Sequence, residues 1–351
     1  MGGVQKTKFN SSDFPDVYKS IAWGHGWNFR KMFLTPGSTN FIIPANVFLI
    51  RALVWGGGGS GRFGNYGKGG GGGGYTEHYW DCVPGTSLSI VVGAGGSAAT
   101  AIGDGNTGGT SSLIDTVASV SLSATGGVGG TGIYTGNPGG EGLGGTINFN
   151  GGAGGASTNL TSGSASGGGA AGSVLGDGGN GGAVVTESTT YANGGGGAIG
   201  GHKGGNGGAI NNYCGSGAGV HGPGGDGLSI ASRNGGPGMF PGGQGAAFGT
   251  NFYKTAECGR GSLWWDAWDI DGSGGGSGYT TNIPAGAHGG PGAGGGAGYS
   301  YGGAGGILGG GGAGGLYGGN GGRAGGGGGC TSDASAVSSG AGGDGLVILY
   351  W

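Results

Sequence analysis

Gly302-Gly-Ala-Gly-Gly-Ile-Leu308 and Gly318-Gly-Asn-Gly-Gly-Arg-Ala324 are two copies of one seven-residue unit, Gly-Gly-x-Gly-Gly-x-x. The same unit recurs at 126–132, 151–157, 178–184, 204–210 and 311–317. A repeat of this kind is read before anything else, because each copy can be one structural element. It is not collagen, since glycine does not hold every third position and the chain has only 10 prolines. A five-residue glycine run can adopt polyproline II geometry, with three residues per turn, a rise of about 3.1 Å and every backbone N–H and C=O pointing outward. Without Cβ atoms such helices can lie close enough to hydrogen-bond one another. The two extra residues, such as Ile307-Leu308, Leu316-Tyr317 or Arg323-Ala324, turn the chain or fill an edge. Ordering glycine costs roughly 0.5–1 kcal/mol more than ordering alanine, against about 0.5–1.5 kcal/mol net from each hydrogen bond. The expectation is therefore a dense bundle or a floppy linker, with little between.

Composition favours the bundle. Glycine supplies 113 of 351 residues, which alone suggests a linker. Yet 8 Trp, 13 Tyr and 11 Phe accompany a charged fraction of only 8%, the reverse of a disordered composition. A net charge of -3 argues against nucleic acid, whose phosphates call for many Lys and Arg. It argues equally against a polybasic membrane surface, and no apolar run approaches the roughly 18 residues of a membrane span. The start, Met1-Gly-Gly-Val-Gln-Lys-Thr-Lys8, lacks a signal-peptide core, and Lys6 occupies the Ser/Thr position of a myristoylation motif. These features imply a chain made and kept in a cytoplasm, or assembled there into a particle. Cys82, Cys214, Cys258 and Cys330 are expected as free, mostly buried thiols; no CxxC supports structural zinc.

Four stretches follow along the chain. Residues 1–40 are glycine-poor, and Ile21–Arg30 with Met32–Leu34 concentrate Trp23, Trp27, Phe29 and Phe33. They read as a cap over the first sheet or as a docking surface for another subunit, since aromatics dominate interface hot spots. Residues 41–125 read as an antiparallel β-domain. Val47-Phe-Leu-Ile-Arg-Ala-Leu-Val-Trp55 stops at four glycines, Tyr75–Trp80 alternates, Pro84-Gly85 turns, and Ser87–Val92 follows, with weaker strands at Ser111–Ile114 and Ser119–Thr125. Residues 126–345 are the glycine field with its loops. Residues 346–351, Leu-Val-Ile-Leu-Tyr-Trp, read as a strand buried on both faces that returns to close the β-domain. The expected fold class is mainly β and irregular: an antiparallel β-domain carrying a polyglycine II bundle, with almost no α-helix.

A family resemblance enters here. Val54-Trp-Gly-Gly-Gly-Gly59, then Gly-Gly-Gly-Gly-Tyr75, then Pro84-Gly-Thr-Ser-Leu-Ser-Ile-Val-Val-Gly-Ala-Gly-Gly96 resemble the glycine-rich tip domains of bacteriophage tail fibres. The ending Gly342-Gly-Asp-Gly-Leu-Val-Ile-Leu-Tyr-Trp351 is similar to their closing strand, and the GGxGG field resembles the polyglycine II bundles of T-even-like adhesins. The resemblance covers roughly residues 41–351. It implies a virion protein at a tail-fibre tip, whose loops bind a host-cell surface protein or glycan and whose other partners are fibre subunits.

The excursion Gly245–Gly286 interrupts the field with Phe248, Phe252, Tyr253, Trp264, Trp265, Trp268 and Tyr279. It reads either as a local mini-core or as an exposed receptor-binding patch. Asp266, Asp269 and Asp271 lie close together inside it, a weak cation candidate whose spacing does not match an EF-hand. Polar loops at Ser157–Ser166, Thr186–Asn193, Asn211–Tyr213 and Ser229–Asn234 suit binding and turns equally. No enzyme and no cofactor are expected. The many GxGxxG matches follow from composition, Arg62 and the residue after Lys68 break a P-loop, and His25, His78, His202, His221 and His288 are scattered. A purely architectural virion protein and an ice-binding protein are the alternatives, the latter disfavoured by the varied x residues Val128, Ala153, Asn180, Asn206, Ala304, Ala313 and Asn320.

Overall fold

The computed structural model describes residues 29–64, 66–132, 136–156, 164–184, 193–207, 214–226, 285–331 and 336–351. Among them are ten strands: β1 (Arg30–Phe33), β2 (Gly37–Ile42), β3 (Leu49–Trp55), β4 (Tyr75–Asp81), β5 (Ser87–Val92), β6 (Ser111–Asp115), β7 (Val120–Ala124), β8 (Gly142–Leu143), β9 (Ile147–Phe149) and β10 (Leu346–Tyr350). They form two antiparallel five-stranded sheets, ordered β1-β10-β3-β4-β9 and β2-β5-β6-β7-β8. The fold is mainly β, with no α-helix among the described residues.

The sheets face each other across a core that includes Phe41, Ile50, Val54, Trp80, Leu88, Ile90, Leu113, Leu122, Val347 and Leu349. Strand alternation sends Leu53, Trp55, Tyr75, Leu346, Ile348 and Tyr350 to the opposite face of the first sheet. There they meet Ala171, Ile199, Val220, Leu308 and Ala324 from the glycine field. The first sheet is thus buried on both faces, which explains the unbroken apolar run of β10 and the run of β3 interrupted only by Arg51. In the same layer Trp55 Nε1 donates to the Gly172 carbonyl at 2.9 Å. The Tyr75 hydroxyl donates to Glu77, whose carboxylate also pairs with Arg51 at 2.7 Å.

Most of the described glycine field, together with residues 56–62 and 69–74, is a lattice of extended arms. Successive N–H groups turn to three different neighbours. Gly56, Gly59 and Arg62 donate to Gly74, Gly71 and Lys68; Gly57 and Ser60 donate to Gly109 and Asn106; Gly58 and Gly61 donate to Gly343 and Gly340. Each set of partners recurs every third residue. The arm Gly69–Gly74 repeats the pattern, with Gly70 and Gly73 on Gly327 and Ala324, and Gly71 and Gly74 on Val128 and Thr125. Contact is backbone to backbone: a Cβ on Gly58 would stand 2.0 Å from the Gly325 carbonyl oxygen. Arms reverse beside the first sheet at residues such as Leu308 and Ala324, which hold positive φ of 68° and 59°. The two extra residues of units 302–308 and 318–324 therefore make the turns, and their apolar members enter the second core.

Lattice flanks need another donor or acceptor, and small polar side chains supply it. Asp177 accepts from the Asn150 N–H at 2.8 Å, Asn180 from Ala153 at 2.8 Å, Asn206 from Ala183 at 3.0 Å, and Asp226 from Asn206 at 2.7 Å. On the opposite flank His288 Nδ1 accepts from Ala304 at 2.8 Å and Asn320 from Ala341 at 2.9 Å. Several of the variable x positions of the repeat thus cap the neighbouring arm. An open edge of N–H groups is otherwise a template for association with another chain.

Candidate functional site

One end of the bundle is plugged by the first sheet. Away from that sheet, at the other end, lie Ala156 and Ser164, Val184 and Asn193, Gly207 and Cys214, Asp226 and Ala285, and Thr331 and Ala336, each at the end of an arm whose opposite end lies toward the first sheet. Neighbouring rims bond to each other: Val184 N–H to the Ala156 carbonyl at 3.0 Å, and Gly215 N–H to that of Asn193 at 2.7 Å. Buried Asn193 braces the rim from inside, accepting from Ala165 N–H at 2.9 Å and donating to the Gly298 carbonyl at 2.8 Å. Buried Ser166 does the same, donating to Gly155 at 2.6 Å. These two residues, read from sequence as loop members, are arm residues instead.

A small polar cluster sits at this end. Arg62 pairs with Asp104, and Lys68 is almost fully buried. Burial, helped by the Arg62 charge, pushes the Lys68 ammonium down from 10.5 to about 8. The Cys330 thiol lies nearby, 3.2 Å from the Leu316 carbonyl, and burial raises its pKa to about 12. Burial likewise raises Cys82 to about 11. Cys82, Cys214 and Cys330 are buried, and the two raised values keep Cys82 and Cys330 protonated and unreactive near neutrality. Among the described residues no three His, Cys, Asp or Glu side chains gather as metal ligands, and no helix is long and apolar enough to cross a membrane.

Two tyrosines stand on the flank beside this end. Tyr301 and Tyr317 stack with ring centroids 5.1 Å apart and planes at 11°. Tyr301 is 43% exposed. They stand sixteen positions apart in sequence with mostly glycine between, so the pair is invisible to a reading of local aromatic density. Superposing the chain on itself at that offset would have found it. Of the aromatic docking candidates, Phe33 packs against the sandwich core and edge-on to Phe41 at 6.1 Å. Phe29 is exposed and stacks on Trp351 at 6.1 Å. Trp23, Trp27, Phe252, Tyr253, Trp264, Trp265, Trp268, Tyr279, Asp266, Asp269, Asp271 and Cys258 lie outside the described residues.

A family model described as a glycine-rich domain matches residues 34–267, more than half of the chain. The chain belongs to the glycine-rich domain family. The match spans eight of the ten strands, all but β1 and β10, and it takes in the arms up to Asp226. No curated protein matches this glycine-rich domain protein. Its candidate site is accordingly defined by geometry: a bundle with one end fixed to a β-sandwich, and the arm ends Ala156, Val184, Gly207 and Asp226 gathered at the other.

Proposed function

We propose that this glycine-rich domain protein is a non-enzymatic adhesin at the tip of a bacteriophage tail fibre, binding the bacterial surface through segments presented at the far end of its bundle. The observation that carries this reading is the clustering of arm ends there, opposite the sheet that anchors the bundle. A receptor-binding surface needs variable segments on a rigid support, and the arm ends Ala156, Val184, Gly207 and Asp226, after which the sequence turns to polar or aromatic stretches, lie at that one end. The arms themselves are polyglycine II helices in this reading. The rotation of hydrogen-bond partners every third residue supports that geometry, since a three-residue turn points successive N–H groups about 120° apart. The exposed Phe29–Trp351 corner lies on the sandwich, away from that end, where a neighbouring fibre subunit would attach.

The test is attachment of fluorescently labelled protein to a panel of intact bacterial strains, read beside thermal melting. Saturable attachment to some strains is expected. Trp265→Ala or Trp268→Ala should abolish it with the melting curve nearly unchanged, as large rigid aromatic faces dominate such contacts. Loss of attachment only together with unfolding would make the tryptophans structural. Absence of attachment to every strain would leave an architectural virion protein without a receptor.

A further inference from the structure

The four parallel arms of one flank set up an internal comparison. Ala285 pairs with Tyr301, Tyr301 with Tyr317, and Tyr317 with Ser338, so these residues occupy equivalent places on neighbouring arms. The lattice bonds around them are the same: Gly286 donates to Tyr301, Gly302 to Tyr317 and Gly318 to Ser338. Alanine and serine satisfy that place in two arms, so the lattice has no packing need for tyrosine in the other two. A large ring left 43% exposed on a flank is therefore surplus to folding.

Among the described residues the stack also stops short. Tyr317 covers one face of Tyr301, while the next rung toward the end of the row carries exposed Ala285. Rings on adjacent rungs lie 5.1 Å apart, so the place above Ala285 is a shelf one ring thick, with the second face of Tyr301 as its wall. We propose that this shelf takes an uncharged pyranose ring, which completes the stack as its third member. The C–H face of a pyranose suits the negative face of an aromatic ring. The chemistry around it selects for a neutral sugar. The outward residues at this level are Ala285, Tyr301, Tyr317 and Ser338, and those one turn inward are His288, Ala304, Asn320 and Ala341, without a carboxylate, ammonium or guanidinium among them. Asn320 and His288 already accept bonds from neighbouring arms, which fixes the floor of the platform. The inference gives a ligand class to the surface-binding reading and rests on it for its biological setting.

The experiment labels the protein with 3-fluorotyrosine and follows fluorine resonances during titration with methyl α-D-glucopyranoside, methyl β-D-galactopyranoside, glucuronate and a short Trp-containing peptide. Tyr301→Ser and Tyr317→Ser assign the two signals, and both should fold because Ser338 already fills the equivalent place. A sugar held by one ring face binds at roughly millimolar affinity, so a saturable shift of the Tyr301 signal is expected with at least one neutral glycoside. Ala285→Tyr, which fills the shelf with a protein ring, should abolish that shift. An unmoved Tyr301 signal with both glycosides, an undiminished shift in Ala285→Tyr, or a response to the peptide or glucuronate alone overturns the proposal. Cell attachment of the parent protein is scored separately, so failure of the sugar shelf and failure of the adhesin reading leave different records.

Discussion

Lys68 shows how a nearly side-chain-free lattice treats a charge. The residue lies between arms, 1% exposed, and its amine is pushed down to about 8 by burial first and by Arg62 second. A lowered amine pKa means that the unfolded chain holds the proton more tightly than the folded one. Stability from this group is therefore complete above about pH 10.5, falls as pH drops toward 8, and stays low below that. Lys68→Met removes the titrating amine, so it is expected to gain stability relative to the parent as pH falls from 10.5 toward 8. The gain over the parent should shrink between pH 8 and 10.5, as followed by denaturant titration at several pH values. A constant gain across that range would show that the amine is not held neutral by the fold. None of this was legible in the sequence, where Lys68 is one cation inside a glycine run. The same holds for Asn193, whose polar neighbours suggest a loop although both ends of its amide are consumed inside the rim.

At the level of elements, legibility followed the side chains. β3, β4, β5, β6, β7 and β10 stood out because apolar and β-branched residues recur there, and glycine closes β3, β5 and β7 within two residues. β8 and β9 are two and three residues long inside the glycine field, with no room for alternation to show, and β1 was hidden in the aromatic opening segment. The arms gave a repeat but no partners, because a bare glycine carries no record of what it touches. Coordinates supply that record. A Cβ on Gly310 would meet the Gly168 carbonyl oxygen at 2.1 Å, whereas one on Gly103 would find only the Ala101 carbonyl oxygen, at 3.8 Å. Neither glycine sits at a positive φ, so the two differ in space and not in backbone preference. Gly310→Ala must push two backbones apart and is expected to cost at least about 3 kcal/mol, beyond ordinary overpacking. Gly103→Ala should be neutral or stabilising by up to about 1 kcal/mol, through lost freedom in the unfolded chain. Thermal melting of the two variants compares them directly. Equal tolerance would contradict backbone-to-backbone packing of the arms.

For the whole molecule, the question is what makes a lattice with so few side chains fold at all. The arms' hydrogen bonds are individually weak in net terms, and ordering glycine is costly. The lattice therefore depends on a surface that fixes its register, which is the first sheet. β10 is the piece that completes that sheet, lying between β1 and β3, with Ile348 opposite Leu53 and Met32. Its five residues alternate between two cores: Val347 and Leu349 face the second sheet, while Leu346, Ile348 and Tyr350 face the turns of the bundle. Burial of an apolar side chain contributes roughly 1.5–3 kcal/mol, so the strand contributes on the order of 10 kcal/mol, comparable with the whole stability of a typical domain. Removal of residues 346–351 is therefore expected to abolish cooperative unfolding of the sandwich. It should also release the arms, although none of the deleted residues lies in them. In the intact protein, amide exchange across residues 290–330 should be slow, because those N–H groups bond to carbonyls of neighbouring arms. In the truncated protein the same amides should exchange near random-coil rates. If they stay protected, the bundle holds itself together without the sheet, and the turns at Leu308 and Ala324 contribute packing without setting register.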